Sequence, residues 1–140
     1  MTTTLLISSD GGSRGNPGPA AIGAVVRDAE SGELLASVSE CIGVATNNVA
    51  EYRALVAGLE VAAPFRAPRV MVRADSQLLI RQLEGAYRVK QAHLRPLYER
   101  ARELLASYED VELEHVRRAD NTEADALVNA ALDADAAGAG

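Results

Sequence analysis

At Val49 the spacing of apolar residues changes from alternation to steps of three and four, and this change limits the fold more than any other feature of the chain. Before it lie three β-prone runs, residues 4–9, 21–27 and 34–42, the last two joined by "DAESGE" with Gly32 near its end. That pair predicts an antiparallel hairpin. After it, Val49, Tyr52, Leu55, Val56 and Leu59 share one helical face until Pro64 ends the helix. "RVMVRAD" is nearly all apolar and reads as a strand buried on both faces of a parallel sheet, and "DSQLLIRQL" opens a second helix at once. Leu94, Leu97, Tyr98, Ala101, Leu104 and Leu105 mark a third helix with Pro96 in its first turn. "VELEHV" alternates as a strand does, and "NTEADALVNAAL" closes the pattern as a helix. The order β-β-β-α-β-α-α-β-α predicts an α/β domain in which right-handed crossovers lay helices over a mixed sheet.

The 140 residues make one domain, and a hydrophobic share of 48% is enough for a core. No apolar run approaches the roughly 20 residues that cross a bilayer, and no basic, apolar leader opens the chain, so it reads as soluble and cytoplasmic. Cys41 has no second cysteine to pair with and reads as a buried, inert thiol on a strand. A net charge of −6 disfavours nucleic-acid binding by bulk electrostatics. The charges are nevertheless segregated: Arg81, Arg88, Lys90, Arg95, Arg100 and Arg102 lie in one stretch, while Asp120, Glu123, Asp125, Asp133 and Asp135 gather near the C-terminus. The basic stretch is either an ordinary solvated helix face or a local patch for an anionic partner.

Asp10 follows the first strand, Asp75 follows the fourth, and Glu51 and Asp125 fall in the first turns of helices. Ligands of open α/β sheets sit beyond the carboxyl ends of parallel strands, so if the first and fourth strands are parallel neighbours, Asp10 and Asp75 meet there. Each acid also has a local reading: Asp10 as a turn residue, Asn48 with Glu51 and Thr122 with Asp125 as capping boxes, and Asp75 as an N-cap. Gathered in one place they would repel one another unless a cation holds them, and oxygen ligands without His or Cys suit Mg²⁺ or Mn²⁺. "DGGSRGNPGP" lacks the Gly-Lys-Ser/Thr ending of a phosphate-cradling loop and fails the dinucleotide pattern.

"DGGSRGNPGPAAIG", "TNNVAEYRAL", "ADSQLLI" and "HVRRADNTEADAL", in that order, resemble the four signature segments of type 1 ribonuclease H, over residues 5–132. The resemblance implies a ribonuclease H-like fold: a five-stranded mixed sheet, its second strand antiparallel, flanked by helices. It implies endonucleolytic hydrolysis of the RNA strand of RNA/DNA hybrids with two Mg²⁺ ions, or Mn²⁺ in their place, leaving 5′-phosphate and 3′-hydroxyl ends. It places the metal-binding catalytic acids on Asp10, Glu51, Asp75 and Asp125, with Asp10 between the two ions. It puts Asn16, Asn47 and Asn48 at the hybrid's minor groove and Thr46 on a DNA phosphate; turn formation and capping are the alternative roles for these four.

The chain departs from the best-known bacterial members. The mobile histidine loop before the last helix is missing, as in a compact branch where an arginine stands nearby; Arg118 is the candidate to assist the scissile phosphate, with Arg117 competing and His115 structural. "EGAYRVKQAH" is too short for the extra basic helix, so Arg88 and Lys90 stand in for part of that surface. Some compact-branch relatives are the front half of a longer protein ending in a histidine-phosphatase-like domain. Residues 1–133 therefore read as the ribonuclease H domain, and 134–140 as a flexible tail or linker. A monomer is expected, and whether double-stranded RNA is also cut is left open. The rival readings are a catalytically silent nucleic-acid module on the same fold and a metal-dependent phosphohydrolase of small phosphates.

Overall fold

The computed structural model describes residues 2–139. Its strands are β1 (Thr4–Ser13), β2 (Gly18–Asp28), β3 (Leu34–Ala45), β4 (Arg69–Ala74) and β5 (Asp110–His115), and its helices are α1 (Asn47–Ala62), α2 (Gln77–Leu83), α3 (Arg95–Leu105) and α4 (Thr122–Ala139). They form one five-stranded sheet in the order β3-β2-β1-β4-β5. β2 runs antiparallel to β1 and β3, whereas β1, β4 and β5 are parallel, which is the predicted mixed topology. No helix among the described residues is long and apolar enough to cross a membrane.

The apolar face of α1 is the one read from the sequence: Tyr52, Leu55, Val56 and Leu59 are buried. They join Leu5, Ile7, Val70 and Val72 from the sheet, and Ile80, Leu94 and Ala101 from the α2–α3 region, in a single core cluster. α1, α2 and α3 therefore cover one face of the sheet. On the other face α4 packs through Val128 and Leu132 onto Ala21 of β2.

Several boundaries differ from the sequence reading. β1 does not stop before Asp10 but runs on to Ser13, because the ladder with β2 continues through Asp10↔Gly23 to Ser13↔Ala20 and satisfies the backbone of the glycines. β4 is not buried on both faces: Val70, Val72 and Ala74 are buried and Met71 and Arg73 only partly. The reason is that α4 lies over β1, β2 and β3 and leaves that side of β4 half covered. Cys41 is exposed, not buried, since β3 is an edge strand; its thiol donates to the Ala131 carbonyl at 3.0 Å. Residues 134–139, expected as a flexible tail, continue α4, in keeping with the helix propensity of their alanines; Gly140 lies outside the described residues.

Candidate active site

The parallel register of β1 and β4 ends at Ser9↔Ala74, so Asp10 and Asp75 are the next residues on two adjacent, parallel chains. β4 stops there, which opens the sheet beside Asp10. The turn that follows keeps the Asp75 carboxylate free. Ser76, not Asp75, caps α2, its hydroxyl accepting from the Leu79 N–H at 3.2 Å.

Glu51 arrives from α1. The cap of that helix is Thr46 rather than Asn48, its hydroxyl accepting from the Val49 N–H at 3.3 Å, so Glu51 stands one turn inside the helix and not at its mouth. The α1 backbone comes this close to β1 because residue 11 has no side chain: a Cβ at Gly11 would lie 2.2 Å from the Ala50 carbonyl carbon and oxygen and 2.6 Å from the Glu51 nitrogen. Asp125 comes from the first turn of α4 on the opposite face. There Gly23, the partner of Asp10 in the ladder, admits the α4 backbone, since a Cβ on it would lie 2.4 Å from the Ala124 oxygen. Buried Asn121 ties the start of the helix down, its side-chain N–H donating to the Ser9 carbonyl at 2.9 Å.

One ligand oxygen from each of Asp10, Glu51 and Asp75 falls within 4.8 Å of the others. Asp125 lines the same cleft as these three acids. Burial, followed by the charges of Asp75 and Asp125, pushes the Asp10 carboxyl up to about 7, with Arg118 pulling the other way. Burial, then Asp10 and Asp75, pushes Glu51 up to about 9 against the opposing pull of the Gly11 N–H and Arg118. The Glu51 Oε2 atom is buried with no hydrogen-bond partner. An orphaned carboxylate oxygen inside an all-oxygen donor set fits a hard divalent cation, whose charge would reverse both shifts. Among the described residues this acid group includes no His or Cys, so zinc is disfavoured.

These carboxylates line an open cleft of about 490 Å³ together with Gly12, Ser13, Arg14, Asn47, Arg118 and Asn129. Arg118 approaches Asp125 at 3.5 Å, whereas Arg117 turns to Asp120 at 3.2 Å and is outside the cleft lining. Asn16 and Asn47 form one unit: the Asn47 backbone N–H donates to the Asn16 side-chain oxygen at 3.1 Å, and the Ser13 N–H donates to the Asn47 side-chain oxygen at 2.9 Å. Thr46 and Asn48 flank Asn47 at the start of α1. Arg88 and Lys90 are not brought to the carboxylates. They line a separate hollow of about 580 Å³ with Tyr87, Arg95 and Tyr98, in the segment that joins α2 to α3. His115, at the end of β5, is exposed and pairs in register with Ala74. The sequence reading passed over Asn121, Arg14 and Gly23. Only Asn121, directly before a helix, carried a local signal, that of a cap residue.

Strand order, strand direction and the gathering of carboxylates beyond β1 and β4 define a ribonuclease H-like α/β domain. The Reverse transcriptase-like family model matches residues 8–131. Among curated proteins, Ribonuclease HI of Halobacterium salinarum is 51% identical over 89% of this chain and 62% of its own length. Bifunctional protein Rv2228c of Mycobacterium tuberculosis is 48% identical over 93% of this chain, which spans only 36% of that protein. Among solved structures, the N-terminal ribonuclease H domain of the Mycobacterium tuberculosis protein, determined as a fusion with maltose-binding protein, aligns with a TM-score of 0.90 at 46% identity, covering 92% of this chain and 98% of that one. LC11-RNase H1 in complex with an RNA/DNA hybrid aligns with a TM-score of 0.87 at 40% identity, covering 94% and 98%. The chain belongs to this family, among its type 1 ribonucleases H.

Proposed function

We propose that this chain hydrolyses the RNA strand of RNA/DNA hybrids endonucleolytically, in a reaction that depends on two divalent cations and leaves 5′-phosphate and 3′-hydroxyl ends. The observation that carries this reading is the convergence of Asp10, Glu51 and Asp75 within 4.8 Å, in a cleft that Asp125 also lines. The hybrid bound by the LC11 relative supports the substrate class.

Asp10, Glu51, Asp75 and Asp125 would hold Mg²⁺, with Mn²⁺ as a substitute. Bound there, divalent cations supply neutralisation of the phosphate and activation of the attacking water. The rest is the work of the chain's own groups. Asn47, in the cleft lining, and Asn16 beside it have their side-chain oxygens already engaged, so their NH₂ groups remain to donate in a minor groove, where the 2′-hydroxyl distinguishes RNA from DNA. Asn48 joins them, and the Thr46 hydroxyl, which accepts the capping bond, keeps its own proton to donate to a phosphate. Arg118 leans over Asp125 toward the scissile phosphate, while Arg117 faces outward. Arg88 and Lys90 extend the phosphate contact along the duplex from the α2–α3 segment. The bifunctional relative, of which this chain spans only 36%, supports a further domain fused to this one in the native protein, and the family resemblance suggests a phosphatase-like one.

The test is incubation of a labelled RNA/DNA hybrid with the protein in Mg²⁺ and in Mn²⁺, beside Asp75→Asn, with RNA/RNA, DNA/DNA and single-stranded controls. Cleavage confined to the RNA strand, abolished in Asp75→Asn and by a chelator, with product 5′ ends that phosphatase dephosphorylates, is the expected result. A folded wild type that cuts the hybrid with neither metal would overturn the reading.

A further inference from the structure

Residues 14–17 link β1 to β2, and their backbone is tied at several points. The Arg14 N–H donates to the Pro19 carbonyl at 2.8 Å, the Ser13 hydroxyl donates to the Gly15 carbonyl, and Asn16 accepts from Asn47. The Arg14 side chain is tied instead by an ion pair. Its guanidinium lies 2.5 Å from Asp133, on the stretch of α4 just beyond Leu132, and the two side chains are 46% and 70% exposed. Arg14 also lines the carboxylate cleft, as do Asn129 and Leu132 of α4.

We propose that Arg14 is a contact for the phosphate backbone of the bound nucleic acid, and that Asp133 occupies its guanidinium as an internal competitor until a duplex displaces it. The inference rests on the nucleic-acid reading of the cleft given above. A guanidinium fork accepts a carboxylate or a phosphate with the same two-pronged geometry, so the two ligands exclude each other. An exposed ion pair is weak enough to be exchanged. The floor of the cleft is built of carboxylates, and an approaching phosphodiester gains from cationic side chains at the rim. Arg118 is one, and it is itself engaged by Asp125 at 3.5 Å. Arg14 is the other arginine of the cleft lining, and it adjoins the Asn16–Asn47 unit through Ser13. A polyanion with successive phosphates can outcompete one carboxylate, whereas a mononucleotide has little advantage over it. The pair thus favours long ligands over short ones.

The test is steady-state cleavage of a labelled hybrid at several salt concentrations, with labelled-hybrid anisotropy in parallel, for the wild type, Arg14→Ala, Arg14→Lys, Asp133→Asn and the double variant Arg14→Ala/Asp133→Asn. Asp135→Asn controls for loss of one negative charge on the same helix. Arg14→Ala should raise KM several-fold with kcat little changed and reduce the slope of log KM against log salt by about one. Arg14→Lys should recover part of the loss. Asp133→Asn should lower KM by about two- to fivefold, the range expected for release of an exposed pair. The same substitution should do nothing in the Arg14→Ala background, and Asp135→Asn should have a smaller effect. If Asp133→Asn raises KM and lowers Tm as Arg14→Ala does, the pair is a strut holding α4 and the proposal fails. It fails equally if the gain from Asp133→Asn persists without Arg14. A wild type that binds the hybrid without cutting it removes the ribonuclease reading alone, since the same comparisons are then read in Kd; a wild type that does neither removes both.

Discussion

Replacing Gly11 by alanine adds one methyl group at the place where α1 meets β1 backbone to backbone. That Cβ would lie 2.2 Å from the Ala50 carbonyl, where ordinary contact begins at 3.4 Å. The obstacle is main chain rather than a flexible side chain, so α1 must retreat by about 1.2 Å, the difference between those distances. Overpacking of this kind costs about 1–3 kcal/mol, which for a domain of this size corresponds to a Tm lower by about 3–10 °C. The larger effect falls on chemistry. Glu51 moves with the helix, away from Asp10 and Asp75, and misplacement of a reacting constellation by about 1 Å costs on the order of a hundredfold in rate. Thermal melts and cleavage of a labelled hybrid by Gly11→Ala measure the two effects. Gly12→Ala is the stability control, because its Cβ would meet nothing closer than Val128 Cγ1 at 3.9 Å. A Gly11→Ala protein with the Tm and kcat of the wild type would refute the claim that this close approach sets the position of Glu51.

Three further outcomes are expected. Asp10 and Glu51 hold protons more tightly folded, at about 7 and about 9, than their ordinary values of 3.8 and 4.5; the stability they contribute is therefore full below about pH 4 and is lost as pH rises toward 9. Melts in a chelator should show Tm falling across that window, Mg²⁺ should flatten the fall, and Asp10→Asn should melt higher than the wild type at pH 8 without metal. Asn121→Ala loses the 2.9 Å bond to the Ser9 carbonyl and should cost about 1–3 kcal/mol by denaturant titration, with a larger fall in kcat than Asn129→Ala as the start of α4 and Asp125 shift. Arg118→Ala should lower kcat at least tenfold, whereas Arg117→Ala, which loses only an exposed pair with Asp120, should stay within about twofold of the wild type.

What was legible in the sequence followed the physics that each segment carried locally. The face of α1 was readable from Tyr52, Leu55 and Leu59 because helix burial repeats with the helix period. The meeting of Asp10 with Asp75 was readable because parallel neighbours bring their carboxyl ends together. The extent of β1 was not, since Asp10-Gly11-Gly12 has turn chemistry and only the ladder with β2 keeps it extended. Cys41 was misread because its burial depends on which strand ends up at the edge of the sheet. Thr46 displaced Asn48 as the cap because both fit and only the hydrogen bond to Val49 decides. The ion pair of Arg14 and Asp133 joins residues at opposite ends of the chain, and no local pattern announces it.

The two glycines beside Asp10 also determine how the site ages under mutation. Gly11 and Gly23 bring α1 and α4 onto the central strands through main chain, so the spacing of the carboxylates is measured in peptide dimensions rather than in stacked side chains. Drift among the apolar residues of the core, such as Val26, Leu59 or Val70, can then change melting temperature while the spacing of the carboxylates is inherited unchanged. Loss of fitness by such drift should appear first as reduced abundance of folded protein and only later as a slower enzyme.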